Sequence, residues 1–276
     1  MKYIFPIVLI GILFANCGKD DDISGTEQEI IDRYIASNSL VTQMTSSGLL
    51  YVIDEVGTGD QPTGDQVVVL NVKEYFLNGD LIFETDGSPF VSELSGLFPG
   101  LRESVELLKK GGKGSFIIPS SLAFGANGAG NIPPNSPLLF ELELLDVQAD
   151  LLTYETSLFE AYLSANNLTA QTTSTGLQYI IEEPGSGGNP SATSQVQVNY
   201  KGYFLNGEVF DQSNGTPLSI GLANVIKGWT EGIPLFQKGG KGVLLVPSNL
   251  AYGVNGSGSI GPNTPILFDV ELVDFN

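Results

Sequence analysis

The segment YFLNG at Tyr203–Gly207 repeats YFLNG at Tyr75–Gly79, and KGGKG at Lys238–Gly242 repeats KGGKG at Lys110–Gly114. Both pairs have the same separation (203 − 75 = 128; 238 − 110 = 128). At that offset residues 31–147 align with residues 159–275 without a gap, and about two in five positions are identical. A period this long marks a duplicated domain, since solenoid repeats run over only ~20–50 residues. The spacing therefore predicts domains over residues 26–149 and 150–276, behind a short leader at 1–16 and an acidic tether at 17–25.

Within each copy the periodicity is mostly that of strands. GLQYIIEE, VQVNYKGYF, KGVLLVP and ILFDVELVDF are β-branched or alternating runs bounded by Gly, Pro, Asn and Ser. In the last run Ile266, Phe268, Val270 and Leu272 share one face, with Asp269 and Glu271 opposite, as in an antiparallel strand buried on one side. Only residues 223–236, with Val225, Ile226, Trp229 and Ile233, read as a helix inside this region. A short helix opens each copy. Thr26 with Glu29 and Ser157 with Glu160 have capping-box spacing, and Ile30, Ile31, Tyr34 and Ile35 match Leu158, Phe159, Tyr162 and Leu163 as one apolar stripe. The stripe packs on its own domain or across the domain junction. The fold class is α+β: in each copy, a twisted antiparallel sheet wrapped on one short helix.

Composition removes most chemistry. Twelve Lys+Arg stand against 31 Asp+Glu, a net charge of −19. That balance excludes nucleic acid as a partner, because phosphates need basic residues to displace their counterions. The chain has no His and one Cys. Imidazole zinc sites, Ser-His-Asp triads, Cys-His pairs and intrachain disulfides are all excluded. No phosphate loop, calcium loop or dense carboxylate cluster is present. KGGKG reads as a turn whose glycines take positive φ.

At the N-terminus, one Lys precedes an apolar run from Tyr3 to Ala15 that is too short to cross a bilayer of roughly 30 Å. Ala15 shortly before the lone Cys17 resembles a bacterial lipoprotein signal, with lipidation of Cys17. The acidic residues after Cys17 form a solvated tether and resemble a surface-export signal. The expectation is a lipid-anchored lipoprotein of the cell envelope, on the outer membrane.

The second copy holds aromatics at turn-adjacent positions, Tyr200, Phe210, Trp229, Tyr252 and Phe268, with Asp211 directly after Phe210. Each alone suits core packing. Together with VIKGW, the Gly-Gly-Lys turn and AYG, they resemble the FKBP-type peptidyl-prolyl isomerase family through nearly all of residues 176–275 and, by the repeat, 48–147. The resemblance implies a proline-binding pocket formed by Tyr200, Phe210, Asp211, Leu218, Val225, Ile226, Trp229, Tyr252, Ile260 and Phe268. In it Trp229 is the floor, Tyr252 and the Ile226 N–H are donors to substrate carbonyls, and Asp211 is an acceptor at the wall. Leu218 departs from the family's usual aromatic.

The activity so implied is cis-trans isomerisation of X–Pro bonds in exported polypeptides, carried by the second copy without cofactor or metal. The resemblance further implies macrolide inhibitor binding in the second domain and a monomeric chain. In the first copy the matching positions read Val72, Ile82, Phe83, Phe90, Leu97, Phe98, Leu101, Phe124, Ile132 and Phe140. Apolar bulk is kept and polar function is lost, so weak or absent activity is expected there. The alternative is a protein that holds unfolded polypeptides through the same groove without catalysis.

Overall fold

The computed structural model describes residues 25–276 apart from Ser88. Cys17 and the leader lie outside the described residues. In the first copy α1 (Glu27–Ser37) precedes β1 (Gln43–Met44), β2 (Leu50–Glu55), β3 (Val67–Phe76), β4 (Leu81–Glu84) and β5 (Phe90–Glu93). Then follow α2 (Pro99–Glu106), β6 (Lys113–Ile118) and β7 (Leu138–Gln148). The second copy repeats the order with α3 (Leu151–Ala165), β8 (Gln171–Thr172), β9 (Gln178–Glu183), β10 (Gln195–Tyr203), β11 (Val209–Gln212) and β12 (Leu218–Gly221). It closes with α4 (Lys227–Gly232), β13 (Lys241–Val246) and β14 (Ile266–Phe275). Each copy forms one antiparallel sheet, in the order β1-β2-β6-β7-β3-β4 and its counterpart β8-β9-β13-β14-β10-β11. β5 and β12 pair onto β3 and β10.

The alternation along β14 sorts its two faces as its sequence implies. Ile266, Phe268, Val270 and Leu272 are buried in the core that α4 covers with Trp229 and the turn after it covers with Ile233. Leu267 faces the other way, where Phe159 of α3 packs on Tyr203, Val243, Leu245 and Leu267. In the first copy Ile31 of α1 packs likewise on Leu77, Ile117 and Leu139. The helical stripe therefore settles on its own domain, on the outer face of the sheet. Fully burying a Phe of this kind stabilises by about 1.5–3 kcal/mol.

A carboxylate fixes each of these outer helices. Glu155 of α3, 1% exposed, accepts a hydrogen bond from the Ser248 N–H at 2.9 Å. Glu27 of α1 accepts from the N–H of Ser120, and from its hydroxyl at 3.0 Å. The two contacts span the same sequence distance (248 − 155 = 93; 120 − 27 = 93). Burial pushes the Glu155 carboxyl up from its ordinary value, and its bonds to Ser248 oppose that.

Two expectations need correction. Thr26 and Glu29 do form a capping box, but Ser157 and Glu160 lie inside α3, which Asp150 caps through the Thr153 N–H at 2.8 Å. Residues 24–26 of the first copy are Ser-Gly-Thr, which stops α1, whereas Leu152-Thr153-Tyr154 at the matching places lets α3 run one turn further back. The helix expected over residues 223–236 is only α4, flanked by single 3-10 turns at Leu222–Asn224 and Ile233–Leu235. Pro234 has no N–H to continue it. KGGKG does turn through positive φ at Gly111 and Gly239 (82° and 79°).

Glu155→Ala leaves the Ser248 N–H buried without an acceptor and should cost the second domain about 1–3 kcal/mol. Because Trp229 is the chain's one tryptophan, a urea melt followed by indole fluorescence reads this domain alone. An unchanged midpoint would refute the clamp.

Candidate active site

β10 carries Tyr200 inward beside Val198, and its register with β11 slips between Gly202 and Tyr203. Gly202 pairs with Asp211 and Tyr203 with Val209, so Phe210 is the extra residue of a β-bulge. The bulge turns Phe210 and Asp211 toward Tyr200. A Cβ at position 202 would stand 2.6 Å from the Phe210 ring and 2.8 Å from that of Phe268. Gly202 is thus the residue that lets the Phe210 ring lie down on the sheet. Sequence reasoning passed over it, although a Gly inside a strand run is the usual trace of a bulge or a close approach.

Phe268 then becomes the hub of an aromatic cluster. Its ring meets Phe210 at 5.7 Å and 90°, Trp229 at 5.3 Å and 77°, and Tyr200 at 6.4 Å. Tyr200 and Trp229 stand edge to face at 5.1 Å. Such edge-to-face pairs contribute about 0.5–1.5 kcal/mol beyond their buried area. Trp229, 5% exposed, comes from α4, and its Nε1 is buried with no hydrogen-bond partner. Val225 and Ile226 lead into α4, and Leu218 on β12 packs at the margin of the same core. The Ile226 carbonyl accepts from the N–H groups of Trp229 and Thr230 at 3.0 and 3.1 Å, while the Ile226 N–H has no protein acceptor among the described residues.

The polar groups sit at one side of the cluster. Tyr200 donates its hydroxyl to Asp211 Oδ2 at 2.7 Å. Burial, and then the Asp211 carboxylate, push the Tyr200 hydroxyl up to about 12. Tyr252, 37% exposed, opens the loop that returns to β14 through the buried Ile260. Its hydroxyl is also raised, by burial first and then by Asp211. The structure therefore packs Tyr200, Phe210, Leu218, Val225, Ile226, Trp229, Ile260 and Phe268 on one core, with Asp211 hydrogen-bonded to Tyr200 and Tyr252 near enough to Asp211 to feel its charge. Cys17 lies outside the described residues.

The first copy keeps the frame and changes the contents. Glu74 pairs with Phe83 and Tyr75 with Leu81, so Ile82 is the bulged residue and the ungapped alignment holds. Ile82 packs on the core, while Phe83, 43% exposed, stands where Asp211 does. Phe98 meets Phe124 at 5.3 Å and Phe140 at 5.7 Å, and Leu101 takes the place of Trp229 in the buried core. A separate recess of about 360 Å³ is lined by the ion-paired Lys201, Lys241, Asp269 and Glu271, with Tyr200 also among its lining residues. No group of His, Cys, Asp or Glu among the described residues could hold a metal ion.

What these elements define is a small α+β binding domain present twice, with a hydrogen-bonded aromatic slot in the second copy. A family profile described as FKBP-type peptidyl-prolyl cis-trans isomerase matches residues 59–145 and 187–273, and the chain belongs to that family. It is similar to the probable isomerase FkpA of Neisseria meningitidis serogroup B, 45% identical over 119 residues, which is 41% of this chain and 44% of that protein. It is also similar to FkpA of Escherichia coli K12, 49% identical over 106 residues, 38% of this chain and 39% of that one. The chain thus spans less than half the length of these curated relatives. The crystal structure of FkpA from Escherichia coli matches 45% of this chain and 59% of that one, with 36% identity and a TM-score of 0.42.

Two measurements probe the slot. Gly202→Ala should displace Phe210 and destabilise the second domain by about 1–3 kcal/mol through overpacking, read as a lower urea midpoint; an unshifted melt would show that the ring does not rest there. The folded-state ionisation of Tyr200 lies above the free value of 10.0, so the stabilisation linked to its neutral form is complete below pH 10 and lost as pH rises toward 12. Asp211→Asn should bring that ionisation down, though not fully, because burial remains. Phenolate absorbance, with Tyr200→Phe to assign the band, reads it.

Proposed function

We propose that the second domain is the chain's peptidyl-prolyl cis-trans isomerase and that the first holds polypeptide without turning it over. The observation that carries this reading is the slot itself: Tyr200, Phe210 and Phe268 set around the buried Trp229 floor, with the Ile226 N–H free at its edge. Rotation about a peptide bond faces a barrier of ~18–20 kcal/mol because resonance holds the amide planar. The planar amide is charge-separated, and the twisted one is less polar. A water-poor aromatic slot raises the planar state relative to the twisted state. The Ile226 N–H and the Tyr252 hydroxyl fix flanking carbonyls while the bond turns, and Asp211 holds the Tyr200 ring through its hydroxyl. No nucleophile is needed, which suits a chain without His.

The first domain lacks this equipment: Val72, Phe83, Leu101 and Phe124 stand at the positions of Tyr200, Asp211, Trp229 and Tyr252. It retains apolar walls, which suits a holding role. Two linked sites on one chain raise the effective concentration of a client at the active one. The leader and Cys17 support a lipid-anchored envelope protein whose clients are exported polypeptides. Among the described residues no helix is long and apolar enough to cross a membrane. Intact-mass measurement of the membrane-extracted protein tests the anchor: lipid mass on Cys17 is expected, and its absence would remove that part of the proposal.

In the full chain Trp229→Ala should lower kcat/KM for a prolyl peptide about tenfold or more, a loss of at least ~1.4 kcal/mol of transition-state stabilisation. Leu101→Ala, the matching change in the first domain, should leave it unchanged. An undiminished kcat/KM in Trp229→Ala would overturn the assignment. Aggregation suppression of a proline-free client, set beside a proline-limited refolding assay, separates holding from catalysis.

A further inference from the structure

At the place of Gly202 the first domain has Glu74. It lies on β3 between Val72 and Phe76 on the inner face, and its cross-strand partners are Phe83 on β4 and Phe140 on β7. In the second domain the same space holds the Phe210 ring. A carboxylate therefore stands where the second copy has an aromatic wall, and the smaller Ile82 makes room for it. Glu74 Oε1 is buried and has no hydrogen-bond partner. Burial raises its carboxyl, and among the described residues no ion pair to Glu74 is found.

By contrast, Glu84 pairs with Lys73, Glu143 with Lys113 and Asp146 with Lys110. An unpaired acceptor beside apolar walls is costly unless something supplies a donor. Phe98, Phe124 and Phe140 form the facing cluster, and Phe83 is exposed at the mouth. Aromatic faces attract a cation, and an alkyl stem buries well against them while its charged head reaches an acceptor. The chain's net charge of −19 draws basic segments toward it over longer range.

We propose that the first domain's slot is a binding site for a basic side chain, Arg or Lys flanked by apolar residues in an unfolded polypeptide, with Glu74 as its acceptor. The inference rests on the proposed holding role for its client, but its readout is peptide affinity and not turnover, so either can fail without the other. Glu74 replaces prolyl selectivity with charge selectivity: the first domain grips a client by a basic residue while the second acts on a proline elsewhere along it.

The test uses the full chain and two N-acetylated, fluorescently labelled peptides, Leu-Phe-Arg-Phe-Leu and the same peptide with citrulline for Arg. Citrulline keeps shape and hydrogen-bonding groups and removes the charge. Anisotropy titration at low salt should show the Arg peptide binding about tenfold tighter, the ratio expected of one charge-assisted hydrogen bond. Glu74→Gln, close in size, should abolish the difference. Equal affinities in the unsubstituted chain would overturn the proposal without any variant. A preference that persists undiminished in Glu74→Gln would also overturn it and assign the selectivity to general surface charge.

Discussion

The close approach of the Phe210 ring to the backbone at Gly202 is the contact on which the second domain's slot depends. With no Cβ there, the bulge between β10 and β11 can tip Phe210 onto Phe268 and bring Asp211 within reach of the Tyr200 hydroxyl. Phe268 in turn fixes the ring of Trp229 from the other side. Four rings meeting largely edge to face leave little freedom to any one of them, so the cluster is rigid because each ring is held by its neighbours. The polar groups then stand on a preformed frame.

The same frame with several changed residues makes a different site. The first sheet reproduces the strand order, the bulge and the outer helix of the second, and ion pairs recur at matching places, Lys113 with Glu143 and Lys241 with Glu271. Near the bulge and its covering helix, Glu74 replaces Gly202 and Leu101 replaces Trp229. Scaffold and site are thus separable: the alternation of β3 and β10 preserves the core, and a few positions at its open end decide what can enter.

Much of this was legible in the sequence because it is periodic. The repeat marks the duplication, and the alternation of Ile266–Phe275 assigns both faces of its strand. The pocket residues were legible only through the spacing of motifs that resemble a family, since nothing in periodicity alone separates Trp229 or Phe268 from ordinary core. What escaped was non-local. The bulge follows from how two strands pair, the Glu155–Ser248 clamp joins residues far apart in the chain, and Ser157–Glu160 mimics a helix start because capping spacing also occurs inside helices. Glu74 was visible as a charge on an apolar-facing position of VVVLNVKEYF, a conflict that the search for retained family residues does not look for.

The glutamate clamp also sets an order of assembly. In each domain the first helix made is held by a backbone N–H that follows the penultimate strand, so that helix cannot dock until almost the whole domain has emerged. Until then Ile31 or Phe159 has no surface to cover and the outer face of the sheet stays wet. A chain whose proposed work is to attend to unfinished polypeptides is itself, for most of its synthesis, one of them.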